Sequence, residues 1–163
     1  MIRQAVYEDI PALTSLYNGI IAEGGFTGNL TPVSIESRTA WFEKYKDKYA
    51  IFVKEINDQI VGYLTLSPYR EGREAFNEVS EISYFLANDF RGKGLGKTLL
   101  EFGMRYAKEV EFRIIVAFLW AQNTRSYALL KQFGFCESGR IMQAGKVQNA
   151  YLDHVVMSCY LGT

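Results

Sequence analysis

Arg91-Gly-Lys-Gly-Leu-Gly-Lys-Thr-Leu-Leu100, RGKGLGKTLL, alternates glycine with basic and apolar residues and then runs into a helical pattern. The residues before it, VSEISYFLA (79–87), are rich in strand formers. After it, Leu95, Leu99, Phe102 and Tyr106 recur along one helical stripe. A strand, a glycine loop and a helix in that order form a ready anion site. Glycine lets the backbone approach closely, and free N–H groups gather at the start of the helix.

Two familiar phosphate loops fail on spacing. A nucleotide triphosphatase loop needs four residues between its glycine and Gly-Lys-Thr; only three separate Gly92 from Gly96-Lys97-Thr98. The dinucleotide fingerprint G-x-G-x-x-G also fails, because Gly92, Gly94 and Gly96 alternate strictly. The visually prominent GKT is therefore discounted: Lys97 and Thr98 belong to the first turn of the helix.

Working outward, IRQAV (2–6) reads as a strand, followed by an acidic helix start at Glu8 and Asp9 with Pro11 in the first turn. Gly24-Gly25 ends that helix, and GGFTGNLTP is a loop. Ser34 caps a second helix whose apolar side holds Trp41, Phe42 and Tyr45. Strands at 49–55 and 60–67 flank Asn57-Asp58 as a hairpin. The central helix offers Lys97–Glu101 and Glu101–Arg105 as i,i+4 pairs. RIIVAFLW (113–120) is nearly continuous apolar sequence, as in a strand covered on both faces. A short helix from Asn123 stops at Gly134, and FCESGRIM and AYLDHVVMSCYL supply two last strands. The order is β-α-α-β-β-β-α-β-α-β-β, a mixed α/β chain.

Composition narrows the function classes. Eighteen basic and eighteen acidic side chains cancel, so nothing global attracts nucleic acid or an anionic membrane. The N-terminus lacks a secretory h-region, and the longest apolar run, 114–121, is too short to span a bilayer. Cys136 and Cys159 lie far apart, and His154 is the only histidine, which argues against a zinc site or disulfide scaffold. A cytoplasmic, reduced and metal-free protein is the expectation.

The loop satisfies [R/Q]-x-x-G-x-[G/A] through Arg91, Gly94 and Gly96. Downstream, Asn123, Ser126 and Gly134-Phe135 match an N-x-x-[A/S]…G-F segment. In both segments the chain resembles the GCN5-related N-acetyltransferase (GNAT) family. The resemblance implies one domain over 1–163, with a central, mostly antiparallel twisted sheet splayed at the cofactor and flanked by helices. It implies acetyl-CoA as co-substrate, held by Phe85, Leu86, Arg91, Gly92, Lys93, Gly94, Leu95, Gly96, Lys97, Asn123 and Ser126. Asn123 also fits a plain helix N-cap.

LYNGII (16–21), GGFTGN, TAWFEKY (39–45) and PYREGREAFNEVSE (68–81) are similar to the phosphinothricin-acetyltransferase-like branch, which acetylates small amino acids and analogues. That likeness makes Glu81 the general base and the backbone N–H near Phe85 or Leu86 the oxyanion donor. It makes Arg73 a carboxylate clamp and Phe26, Thr27 and Tyr69 lining residues of the amine pocket. On the strand pattern alone, Glu81 also fits a solvated face or an arginine partner. Arg73 also fits an exposed loop charge, and Phe26 and Thr27 also fit packing. Two positions depart from the family. The tyrosine that often protonates the departing thiolate is Leu130 here, with Tyr127 one turn earlier. The branch's histidine falls on Gln148, although Asp153 is in place. His154 reads as structural, and Cys136 as a small core residue. The implied acceptor is a small-molecule amine, with homodimerisation a family-level expectation. A peptide N-terminal acetyltransferase and a non-catalytic CoA-binding module are the competing readings, with a nucleotide triphosphatase a distant third.

Overall fold

The elements follow one another along the chain in the order read from the sequence. The computed structural model describes residues 1–162. In chain order the elements are β1 (Ile2–Gln4), α1 (Ile10–Glu23), α2 (Ile35–Phe42), β2 (Ala50–Ile56), β3 (Gln59–Pro68) and β4 (Val79–Leu86). Then come α3 (Leu95–Glu109), β5 (Ile114–Trp120), α4 (Thr124–Gln132), β6 (Cys136–Val147) and β7 (Ala150–Tyr160).

Local chemistry sets the boundaries. Pro11 lies in the first turn of α1, and Gly24 ends that helix at a φ of 75°. The Ser34 hydroxyl accepts the Ser37 N–H at 3.1 Å and starts α2. Asn57 and Asp58, at φ 49° and 59°, make the tight β2–β3 turn that right-twisted strands prefer.

The seven strands run β1-β2-β3-β4-β5-β7-β6. Among the described residues all neighbours are antiparallel except β4 and β5, which α3 joins as a crossover. Two apolar clusters lie on opposite faces. Leu64, Ile82, Ile115 and Met157 pack with Leu99, Leu100 and Leu130 on the α3–α4 face. Ile51, Val53 and Tyr63 pack with Leu13, Tyr17 and Ile21 on the α1–α2 face. The guanidinium of Arg3 binds both oxygens of Asp9, at 2.7 and 2.9 Å, and also Glu55, tying β1 to the start of α1 and to β2. That ion pair holds the Asp9 carboxyl below its ordinary range.

Several local expectations differ from the structure. α2 stops at Phe42, leaving Tyr45 in the following turn, where its N–H reaches the Phe42 carbonyl. On α3 the ion pair is Arg105–Glu109, at 3.8 Å, rather than either predicted pair. Long exposed side chains choose among partners within about 1 kcal/mol, so spacing does not select one. Cys136 is exposed, and Cys159 is the buried thiol. β6 runs on to Val147 as an irregular edge strand, its register shifting between Glu137 and Gly139 and again between Ile141 and Gly145. Gly145 is required there, since a Cβ would overlap the ring of Trp120.

Candidate active site

The glycine loop leaves the end of β4 and turns into α3. Gly92 and Gly94 sit at φ 74° and 79°, the left-handed region that other residues avoid. Gly94 is the N-cap of α3. From Gly92 to Lys97 no backbone N–H donates within the chain among the described residues; the first to do so is Thr98, to Gly94. A helix alone leaves its first few N–H groups free. Here the loop extends that set into a concave row of donors suited to a pyrophosphate.

The Arg91 side chain does something else. Its Nε donates to the Leu86 carbonyl at 2.9 Å, and its two terminal nitrogens hold the Glu23 carboxylate at 2.5 and 3.0 Å. The same guanidinium lies 4.7 Å from the Phe26 ring centre. Arg91 thus fastens the loop to the C-terminal end of α1. Beside it opens a groove of about 520 Å³, lined among others by Tyr84, Leu86, Gly92, Asn123, Ser126 and Leu129. Asn123 caps α4, its side-chain oxygen accepting the Ser126 N–H at 3.2 Å, while also lining the groove.

β4 and β5 pair only from Val79–Ile114 to Glu81–Val116, and then part. On the other side β4 stays paired with β3 as far as Leu86, and the Ala87 N–H bonds the Val61 carbonyl at 2.9 Å. Donors alternate along an antiparallel strand. With Ala87 facing β3, the N–H groups of Tyr84 and Leu86 face the gap between β4 and β5.

Glu81, Ser83 and Phe85 project from β4 on the α1–α2 face. They help line a cavity of about 160 Å³ together with Tyr17, Arg38, Trp41, Tyr45, Tyr63, Thr65 and Ser67. Phe85 lines both this cavity and the groove. Burial pushes the Glu81 carboxyl above its ordinary range, opposed only by a long contact from the Ser83 hydroxyl at 3.5 Å.

Arg38 is 6% exposed, yet no carboxylate pairs with it among the described residues. Its guanidinium lies 3.5 Å from the Trp41 ring centre and 4.6 Å from that of Tyr17. One terminal nitrogen donates to the Tyr63 hydroxyl at 3.3 Å, and Nε has no partner. A larger concavity of about 670 Å³ lies along α1. It is walled by the Arg3–Asp9–Glu55 ion pairs and borders the groove at Ile20, Glu23 and Asn88, and Glu81 does not line it.

The predicted residues fall into groups. Phe85, Leu86, Arg91, Gly92, Asn123 and Ser126 line the groove, and so does Phe26, which lies outside the smaller cavity lined by Glu81. Lys93, Gly94, Leu95, Gly96 and Lys97 continue the loop into α3. Thr27 bonds the hydroxyl of Tyr17 at 2.6 Å, and its carbonyl accepts Trp120 Nε1 at 3.3 Å. Tyr69 stacks on Phe118, their ring centres 6.3 Å apart. His154 stacks on the other end of that row, 5.4 Å from Phe118. Arg73 is exposed on the β3–β4 loop, outside the cavity lining. Gln148, at φ 55°, lies against the end of α1: a Cβ on Gly24 would approach its Nε2 to 3.4 Å. Leu130 is buried, and the Tyr127 hydroxyl is taken by Glu137 at 3.0 Å.

Sequence reasoning missed Arg38 and the aromatic box around it. The available signal was Arg38 and Trp41 three residues apart, on one helix face.

Residues 16–135 match the family described as Acetyltransferase (GNAT) family. An L-methionine sulfoximine/L-methionine sulfone acetyltransferase of Pseudomonas aeruginosa is 31% identical, covering 98% of this chain and 94% of its own length. A solved structure of ribosomal-protein-alanine N-acetyltransferase from Brucella melitensis superposes with a TM-score of 0.92 at 34% identity, covering 98% of this chain and 99% of the other. A GNAT-superfamily phosphinothricin acetyltransferase from Sinorhizobium meliloti, solved in complex with acetyl-CoA, gives 0.93 at 28% identity and covers 99% and 88%. The chain belongs to the GNAT acetyltransferase family.

Proposed function

We propose that this acetyltransferase transfers the acetyl group of acetyl-CoA to the amine of a small molecule bearing a carboxylate, an amino acid or close analogue. The observation that carries this reading is a half-buried carboxyl, Glu81, and a buried cation without a carboxylate partner among the described residues, Arg38, lining one small cavity. Phe85 alone is common to that cavity and the groove.

Acetyl-CoA supplies the acetyl group as a thioester. The free N–H row from Gly92 to Lys97 fits its pyrophosphate, and the groove past Asn123 and Ser126 fits the pantetheine arm. Glu81 is the proposed base: an amino-acid amine arrives as ammonium and must lose a proton before it can attack a carbonyl. A carboxyl with a raised pKa is better matched to that transfer than an ordinary one. The Leu86 N–H, turned into the gap between β4 and β5, is the proposed donor to the carbonyl oxygen. Arg38 inside the cavity and Arg73 on the adjacent loop are the cations offered to the acceptor's carboxylate.

The likeness to a ribosomal-protein-alanine N-acetyltransferase favours a second reading, acetylation of a peptide N-terminus. A 160 Å³ cavity ending on a buried arginine suits a free amino acid better than an extended chain. Thiol release from acetyl-CoA, measured against free amino acids, their amides and short peptides, tests this. Turnover of free amino acids with loss on amidation is the expected result. Turnover of peptides alone overturns the small-molecule reading, and CoA binding without turnover of any amine makes the chain a binding module.

Two finer expectations accompany the proposal. Unpaired Cys136 and Cys159 suit a reducing cytoplasm. Ile141, Met142 and Tyr151, exposed on the β6–β7 hairpin, suit a homodimer contact, which sedimentation would reveal.

A further inference from the structure

A thioester that loses its acyl group leaves a thiolate, and that sulfur needs a proton. The positions from which α4 could give one are closed: Leu130 is aliphatic and buried, and the Tyr127 hydroxyl is held by Glu137. Tyr84 on β4 stands elsewhere in the same groove. Its ring projects from the face of β4 opposite Glu81, Ser83 and Phe85, packing with the α3–α4 core and lining the groove beside Ser126 and Leu129. A Cβ on Gly96, in the first turn of α3, would lie 4.0 Å from its ring.

The Tyr84 hydroxyl is buried and makes no hydrogen bond among the described residues. Ser126 faces it from α4 without meeting hydrogen-bond geometry. Such an orphan is costly, and buried hydroxyls are nearly always paired. The phenol at the groove wall therefore has hydrogen-bonding capacity that no group among the described residues uses.

Resting on the acetyl-CoA reading above, we propose that Tyr84 donates its hydroxyl proton to the sulfur of coenzyme A as the carbon–sulfur bond breaks. Amine and thiol then occupy opposite faces of β4. Glu81 receives the N–H proton on the acceptor side. Tyr84 meets the departing sulfur on the groove side, and the Leu86 N–H stands between them at the gap. In balance, two N–H bonds of the ammonium and one C–S bond break while one C–N and one S–H bond form, and the first proton passes through Glu81 to solvent. The C–S electron pair goes to sulfur, which takes the phenolic proton. The tyrosinate is then reprotonated through solvent by the second proton that Glu81 received. Burial raises the phenol above its ordinary value, so it is protonated and able to donate at neutral pH.

Tyr84→Phe removes only the hydroxyl. Calorimetry with coenzyme A and with desulfo-coenzyme A, which lacks the sulfur, reads the contact without turnover. The wild type is expected to favour coenzyme A by roughly fivefold, the worth of one ordinary hydrogen bond. Tyr84→Phe is expected to erase that preference, leaving desulfo-coenzyme A affinity unchanged. In turnover kcat falls about 100-fold with KM for acetyl-CoA unchanged, as for loss of one general acid. Because the removed hydroxyl is unpaired, the ligand-free variant melts no lower than wild type. A retained preference for the sulfur, an equal loss for both ligands, or a kcat within threefold of wild type overturns the proposal. If the wild type binds neither ligand, the cofactor reading itself fails.

Discussion

The two halves of the proposed active site are built from different material. The cofactor half is mainly backbone: the Gly92–Lys97 N–H row, the start of α3 and the unpaired stretch of β4. The acceptor half is almost wholly side chain, drawn from α1, α2, β3 and β4. Backbone donors serve any diphosphate with the right shape, so that half is generic. A box of Tyr17, Arg38, Trp41, Tyr63 and Glu81 fits few ligands, so that half confers specificity. Each half also holds a buried polar atom without a partner, the Tyr84 hydroxyl in one and Arg38 Nε in the other.

The sharpest way to divide the halves is Glu81→Gln. Removing the base is expected to lower kcat by about 10²–10⁴-fold with coenzyme A affinity intact, read by steady-state kinetics and calorimetry. The pH dependence follows in sign. The folded carboxyl titrates above its ordinary value of 4.5, so the acid limb of kcat/KM lies higher than for an exposed glutamate. For stability, a raised pKa means the contribution is present below 4.5 and lost as pH climbs through the folded value. Glu81→Gln should therefore gain stability over wild type as pH rises from 4.5 toward neutrality, a trend that melts across pH would show.

Arg38→Met is expected to raise KM for the acceptor by about 10–100-fold, the worth of a charge-assisted contact, with KM for acetyl-CoA unmoved. If both constants rise together, the halves are not separable and Arg38 supports the fold. Gly94→Ala attacks the other half: a Cβ at φ 79° costs about 1–2 kcal/mol. Coenzyme A affinity should weaken roughly tenfold while acceptor KM stays near wild type.

This contrast also governs what the sequence discloses. The element order is legible throughout, because apolar periodicity and turn residues such as Asn57-Asp58 and Ser34 act locally. The glycine loop is legible for the same reason, since its donors lie on consecutive residues. The acceptor box is not, because Tyr17, Arg38, Tyr63 and Glu81 come together only through the tertiary fold. Arg38 sits among Glu36, Ser37 and Thr39, and reads as part of a solvated helix face until Trp41 and Tyr17 enclose it. Arg91 errs the other way: its place in the loop suggests a phosphate contact, while its side chain is held by Glu23 and Leu86. β6 runs past its apolar stretch because an edge strand with shifted register needs no regular alternation.

The apolar clusters on the two faces of the sheet have a consequence for substitution as well as for folding. Most side chains of α1 and α2 pack on their own face of β3 and β4, while α3 and α4 rest on the other, and the glycine loop meets α1 through the Arg91–Glu23 pair. Replacing side chains of the cavity wall can therefore reshape the proposed acceptor side while leaving the Gly92–Lys97 backbone row in place. The sheet acts as a partition, bridged at Phe85 and at the Arg91–Glu23 pair.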